Sequence, residues 1–253
     1  MRYSVCLNAV FPNVPLEEAV ARTRAAGFDT FEFWSWWDRD LDALARAARE
    51  HGMTCAAMCM CFISLTDPAC RGAFAEGLRE SVEAARRLAC GTLIVQTGQA
   101  LAGVAREKQH ESIVEGLRVS APIAEGAGVT LALEPLNTRV DHPGYYLESA
   151  DEAFRIVKEV GSPAVRMLFD VYHQQITEGD LLARMRADLP LIRHVHIAGN
   201  PGRHEPYERS EVDYAAIVTA LDEAGYTGAV GLEYFPRRTP EESLKLFLEN
   251  MPG

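Results

Sequence analysis

The sequence predicts an α/β protein folded as one closed (β/α)8 barrel spanning residues 1–253, and three observations carry that expectation. Eight short apolar, β-branched runs alternate with longer segments of helical period, the pattern of successive βαβ units around a parallel sheet. A length of 253 residues suits eight such units around one hydrophobic core. No linker or low-complexity stretch breaks the series, so closure into a barrel is favoured over the alternative, an open doubly wound sheet.

The strands are expected at Tyr3–Leu7, Thr30–Phe33, Thr54–Met58, Thr92–Gln96, Thr130–Leu133, Val165–Phe169, Ile192–Ile197 and Ala229–Leu232. The first helix runs from Pro15 to Ala26 and stops at Gly27, and Asp67-Pro68 pairs an N-cap acid with a first-turn proline. Ser149-Ala-Asp-Glu152 and Thr239-Pro-Glu-Glu242 fit the capping box, in which hydroxyl and carboxylate satisfy each other's orphaned backbone donors. Gly27, Gly52, Gly91, Gly128, Gly161 and Gly225 stand where left-handed C-caps would close helices before the next strand.

Composition narrows the function. Apolar residues at 48% and charged residues at 24% are ordinary globular usage, which excludes disordered, collagenous and disulfide-scaffold classes. Twenty-five basic against thirty-six acidic side chains leave a formal charge of −11, the wrong sign for a phosphate backbone, so nucleic acid is not an expected partner. The segment Met1 to Leu7 enters a strand without a charged leader, and no apolar run is long enough to span a bilayer; a cytoplasmic location and no membrane partner are expected. The six cysteines fall in the N-terminal third, mostly in apolar stretches, and are expected as free thiols; Cys59-x-Cys61 lacks a second pair at zinc-site spacing.

Four strand ends carry the chemistry: Glu134 after Leu131-Ala-Leu, Asp170 after Met167-Leu-Phe, His196 after Arg193-His-Val, and Glu233 after Val230-Gly-Leu. Side chains alternate along a strand, so Glu134 shares a face with Ala132, Asp170 with Leu168, His196 with His194 and Glu233 with Gly231. If that face points inward, four donors converge at the C-terminal rim, while Leu133, Phe169, Ile197 and Leu232 meet the helices. One such acid would more often cap a helix or pair with an arginine, but four consecutive strands argue for a site. Three carboxylates without a counterion repel, and a divalent cation resolves the repulsion; oxygen donors plus one imidazole suit Mg²⁺ or Mn²⁺, with Co²⁺ able to substitute.

His173, on the loop just past Asp170, could donate to a substrate oxygen or be a plain surface histidine. Arg203, in Gly199-Asn-Pro-Gly-Arg-His-Glu-Pro, offers a fork for a carboxylate or is a solvated loop charge. His194 reads as a satisfied buried histidine, Glu32 as an acid behind the site, and Phe31-Glu-Phe-Trp-Ser-Trp-Trp37 as a pocket wall or a contact within a homo-oligomer.

At these residues the chain resembles the sugar isomerase/epimerase branch of the xylose-isomerase-like TIM barrels, and most closely the hydroxypyruvate isomerase family. The likeness covers nearly the whole chain and rests on Gly27-Phe-Asp-Thr-Phe-Glu32-Phe, Glu134-Pro-Leu-Asn137, Phe169-Asp170-Val-Tyr-His173-Gln-Gln, His194-Val-His196 through Pro206, and Gly231-Leu-Glu233-Tyr. The resemblance implies that Glu134, Asp170, His196 and Glu233 bind a metal, that Glu134 and Glu233 move protons, and that His173 and Arg203 contact a small-molecule substrate. It implies an aldose–ketose type isomerisation such as hydroxypyruvate to tartronate semialdehyde through an enediolate. Two departures bear on substrate. Hydroxypyruvate isomerases often carry glutamine where this chain has His196, as ketose epimerases do not; ketose 3-epimerases carry a substrate-binding glutamate where this chain has Val140. Endonuclease relatives add histidines at the third and fourth strand ends, where Met58 to Cys61 and Gln96-Thr97 stand here. Ketose 3-epimerase or another small-sugar isomerase remains the alternative enzyme, and a silent metal or sugar-acid binding protein the non-enzyme one.

Overall fold

A computed structural model of the chain describes residues 1–252. Eight parallel strands close on themselves in sequence order, β1 pairing with both β2 and β8. They are β1 Arg2–Cys6, β2 Thr30–Phe33, β3 Thr54–Cys59, β4 Thr92–Val95, β5 Thr130–Leu133, β6 Val165–Asp170, β7 Ile192–Ile197 and β8 Ala229–Leu232. The helices, in chain order, are α1 Leu7–Val10, α2 Leu16–Ala25, α3 Leu41–Glu50, α4 Arg71–Arg87, α5 Arg106–Ala127, α6 Ala150–Val160, α7 Val171–Thr177, α8 Leu181–Ala187, α9 Tyr214–Glu223 and α10 Pro240–Asn250. The expected barrel is therefore the observed one, with one early surprise: Leu7 is not the end of β1 but the first residue of a short helix.

Two apolar zones hold the barrel. The larger lies between sheet and helices and buries Leu133, Phe169, Ile197 and Leu232 with the inner faces of the helices. The smaller fills the barrel itself with Ala57, Cys59, Ile94, Ala132 and Leu168, under the half-buried Trp34. Alternation along β5 and β6 thus sends Ala132 and Leu168 inward and their neighbours outward, which aims Glu134 and Asp170 at the barrel axis. Each fully buried Leu or Phe contributes about 1.5–3 kcal/mol.

Local signals explain most boundaries. Asp40, Asp67, Ser149, Asp213 and Thr239 each accept a backbone N–H at a helix start. The reciprocal half of the Ser149 capping box is not made, because Glu152 turns outward to Arg106, Tyr146 and His110. Of the six glycines expected in left-handed conformation, five have positive φ; Gly91 does not, and Ala89 takes that conformation at φ 50° two residues earlier. The chain leaves α4 through Leu88 and Ala89, so the turn is finished before Gly91 is reached. Among the described residues no helix is long and apolar enough to cross a membrane, and the six cysteines are free.

Candidate metal centre and the cavity above it

Four side chains from four successive strands meet at the C-terminal end of the barrel. One donor atom each from Glu134, Asp170, His196 and Glu233 lies within 4.8 Å of every other, and all four residues are buried. His196 is the hub. Its Nδ1 is 3.4 Å from Glu134 Oε1, 3.4 Å from Glu233 Oε2 and 3.8 Å from Asp170 Oδ2. That nitrogen is buried without a hydrogen-bond partner. An unpartnered imidazole nitrogen among three carboxylate oxygens is a donor set that a hard divalent cation takes by displacing the ring proton, and no thiolate stands among the four. The residues present therefore fit a divalent metal.

The back of the His196 ring explains its orientation. Glu32, fully buried on β2, places Oε1 2.8 Å from His196 Nε2 and Oε2 2.8 Å from His194 Nε2. A carboxylate behind an imidazole favours the proton on the nitrogen that faces it, Nε2, and leaves Nδ1 to ligate. Burial pushes the Glu32 carboxyl up, but His194 and His196 outweigh it and hold it down at about 2. Burial alone would lower the His196 pKa, yet Glu32, Glu233 and Glu134 together raise it well above the usual histidine value. Asp170 moves upward because burial outweighs the pull of Arg203 and His196.

Gly231 makes the Glu32 arrangement sterically feasible. A Cβ at that position would stand 2.6 Å from both Glu32 carboxylate oxygens and 2.6 Å from His196 Cδ2. All three neighbours are packed in the barrel interior, so none can swing away. G231A should cost about 1–3 kcal/mol of stability by overpacking. Thermal denaturation of the metal-free protein would read this as a clear drop in Tm, and an unchanged Tm would mean the Glu32 carboxylate is mobile.

The remaining carboxylates are steered by polar groups around them. Gln96 Nε2 donates to Glu134 Oε2 at 3.0 Å. The Tyr145 hydroxyl donates to the Glu134 carbonyl at 3.0 Å while accepting from Thr97 N–H at 2.8 Å. Trp34 Nε1 donates to Glu233 Oε1 at 2.6 Å. Trp34 belongs to the aromatic run expected as a pocket wall, and Gln96 had a signal of its own: it follows Ile94 at strand period, so alternation puts both on the inner face. Tyr145 had none, because a loop side chain takes its direction from tertiary packing.

Arg203 is not a solvated loop charge. It ion-pairs with Glu233 Oε2, and its guanidinium lies 5.4 Å from the Tyr172 ring centroid and 5.9 Å from that of Phe235. Burial raises the Glu233 pKa, but Arg203 and then His196 overcome it and hold the carboxyl well below the usual range. The loop that carries Arg203 is tied to the loop after β8. Phe235 N–H donates to the Arg203 carbonyl at 2.8 Å. Glu205 Oε1 accepts from Arg237 N–H at 2.9 Å and from the Ser243 hydroxyl at 3.2 Å. Glu205 is a buried clamp that the sequence reading passed over.

His173 is also buried rather than on an exposed loop. Asp170 caps α7 by accepting from His173 N–H at 3.0 Å. The His173 Nε2 lies 3.7 Å from Asp170 Oδ2, and the ring packs against His142 and Tyr172. Burial, then Arg203, lowers its pKa to about 3, so the imidazole is neutral across the physiological range. His194 is a buried partner of Glu32, not a member of the four-residue cluster.

Above the cluster opens a cavity of about 460 Å³, lined by Trp34, Phe62, Gln96, Gln99, Leu136 and His142, with Glu134, His196, Arg203 and Glu233 at its floor. That volume suits a small molecule. Arg203 is the one arginine or lysine among the lining residues. Of the aromatic run after β2, Trp34 reaches the cavity, whereas Trp37 is largely exposed and meets Phe62 edge-on at 5.2 Å. Val140, where ketose 3-epimerases carry a substrate-binding glutamate, is 64% exposed and lies outside the lining.

Comparison with known proteins agrees with the barrel fold. The family described as the xylose isomerase-like TIM barrel matches residues 20–251. Hydroxypyruvate isomerase of Escherichia coli is 27% identical over 97% of this chain and 97% of its own length. A 2-oxo-tetronate isomerase of Cupriavidus necator is 41% identical over 56% of this chain and 54% of its own. A crystal structure from Brucella melitensis, titled as an AP endonuclease of family 2, superposes with a TM-score of 0.93 at 32% identity and covers 99% of both chains.

Proposed function

We propose, since this chain belongs to the xylose isomerase-like TIM barrel family and is an isomerase, that it is a metal-dependent enzyme interconverting hydroxypyruvate and tartronate semialdehyde or a close 2-oxo acid. The observation that carries the reading is the buried, unpartnered His196 Nδ1 with Glu134, Asp170 and Glu233 oxygens at 3.4–3.8 Å. Glu134, Asp170, His196 and Glu233 would hold the cation. When bound, a Mg²⁺ or Mn²⁺ ion would supply Lewis-acid stabilisation of the negative charge that develops on substrate oxygens.

The chain's own groups account for the proton transfers. One of Glu134 and Glu233 takes a proton from the hydroxymethyl carbon of hydroxypyruvate, and its electron pair forms the carbon–carbon double bond of an enediolate. A proton is then returned to the former carbonyl carbon, and the hydroxyl proton passes between the two oxygens, so the sum is a 1,2 carbonyl transposition. Arg203 keeps Glu233 ionised and so fit to act as a base, and Trp34 and Gln96 hold the two carboxylates in place. The guanidinium, stacked between Tyr172 and Phe235, is also the group placed to attract a substrate carboxylate. Trp34 and Leu136 give the cavity apolar wall beside the acids.

Incubation with hydroxypyruvate in D₂O, followed by proton NMR, tests this directly. Deuterium should enter at the carbon beside the carbonyl, and a chelator should stop both exchange and turnover until Mg²⁺ or Mn²⁺ is restored. Absence of exchange together with indifference to the chelator rejects the mechanism. A net charge of −11 and a cavity with a single arginine and no lysine favour a small molecule over a nucleic acid.

A further inference from the structure

We propose that Asn137 is a positioning residue that fixes His173 as its Nε2-protonated tautomer, so that this imidazole presents a hydrogen-bond donor, and not a fifth metal-ligand lone pair, to the carboxylate cluster and its bound substrate. The tautomer follows from the hydrogen bonds alone. Asn137 Oδ1 accepts from Val140 N–H at 2.9 Å and Asp141 N–H at 3.2 Å. The other end of the carboxamide must therefore be the amino group, and it lies 2.7 Å from Asp141 Oδ2 and 2.6 Å from His173 Nδ1. The Asn137 backbone N–H also points at His173 Nδ1, at 3.3 Å. Two donors aimed at one ring nitrogen require that nitrogen to be the unprotonated acceptor.

In a neutral imidazole the proton then sits on Nε2. That atom is buried and has no hydrogen-bond partner, and Asp170 Oδ2 stands 3.7 Å from it. It thus faces the same cluster that His196 Nδ1 faces, but with the opposite polarity: His196 offers a lone pair and His173 offers an N–H. Two histidines of one cluster are oriented by different partners, Glu32 at Nε2 of His196 and Asn137 at Nδ1 of His173, so that opposite ring nitrogens face the acids. A donor held against the cluster can stabilise the oxygen on which charge builds during enolisation. The catalytic half of this inference rests on the isomerase reading above; the tautomer does not.

The test uses the full chain labelled with ¹⁵N in its seven histidines, with long-range ¹H–¹⁵N correlation spectra of the metal-free protein. The His173 signals are assigned by their loss in His173→Gln. The expected pattern is an unprotonated-type Nδ1 and a protonated-type Nε2. The double variant N137D/D141N reverses the donor at His173 while restoring the bond between positions 137 and 141, with D141N alone as the comparator. In the double variant Nδ1 should move into the protonated range, and kcat should fall about 100-fold with KM within a few-fold, while D141N keeps the wild-type ring pattern.

A protonated Nδ1 in the wild-type spectrum overturns the proposal even if the double variant fails to fold. So does a folded N137D/D141N protein that keeps wild-type turnover. If no 2-oxo acid is turned over at all, the isomerase substrate reading fails by itself, and the spectra still decide what Asn137 does to His173.

Discussion

E233Q should reduce turnover by at least about 1,000-fold while the metal-free barrel still folds. The estimate combines the loss of a proton-transfer group with weakened stabilisation of the charge that group helps to hold. Glutamine keeps the volume and keeps the acceptor for Trp34 Nε1, so the cavity wall stays in place. It removes the charge that pairs with Arg203 and faces His196 Nδ1. Circular dichroism should still show a folded barrel, with a lower metal-free Tm because Arg203 loses its buried partner, while deuterium exchange into substrate disappears. A silent binding protein of the same fold would have no rate to lose and would change only in affinity. E233Q with near-normal exchange would leave Glu233 without a role in proton transfer.

Glu32→Gln should weaken metal affinity about 10–100-fold although Glu32 touches neither the cavity nor the ion's expected position. Two buried imidazoles face its carboxylate at 2.8 Å each. Glutamine can accept from only one of them, and its amino end would oppose the other ring unless that ring changes tautomer. The predicted sequel is a His196 whose Nδ1 is no longer reliably free. Because the change also strips the charge from a buried group of paired charges, the metal-free protein should lose about 3 kcal/mol. Isothermal titration with Mn²⁺ separates the two effects from chemistry. An unaltered Mn²⁺ affinity would assign Glu32 to the stability of the barrel alone.

How much of this was legible in the sequence depends on where each residue sits. The strands were readable because parallel barrel strands are short, apolar and bounded by helix caps, and the period of two then placed Ala132 and Leu168 inside and Leu133 and Phe169 outside. The same alternation placed Glu134, Asp170, His196 and Glu233 on one face, and the structure brings these four together. Leu7 escaped because an apolar residue after an apolar strand carries no sign that the chain is about to coil. Ala89 escaped because positive φ is expected of glycine, and the glycine two residues on was the obvious candidate. Arg203 and His173 were found as candidates, but the sequence left open whether they were buried, since that depends on Tyr172 in α7 and on Phe235 and His142 from two other segments packing against them. Asn137 was visible only as part of a motif; its two donors converge on His173 through a turn whose shape no local pattern specified.

The clamp at Glu205 makes the mouth of the barrel asymmetric in how it is held together. The segments that follow β7 and β8 are stitched through Arg203, Phe235, Glu205 and Arg237, which cross-links the two strand ends that carry His196 and Glu233. On the side of β2 and β3 the rim is built from aromatic side chains instead, with Phe62 63% exposed and set edge-on to Trp37.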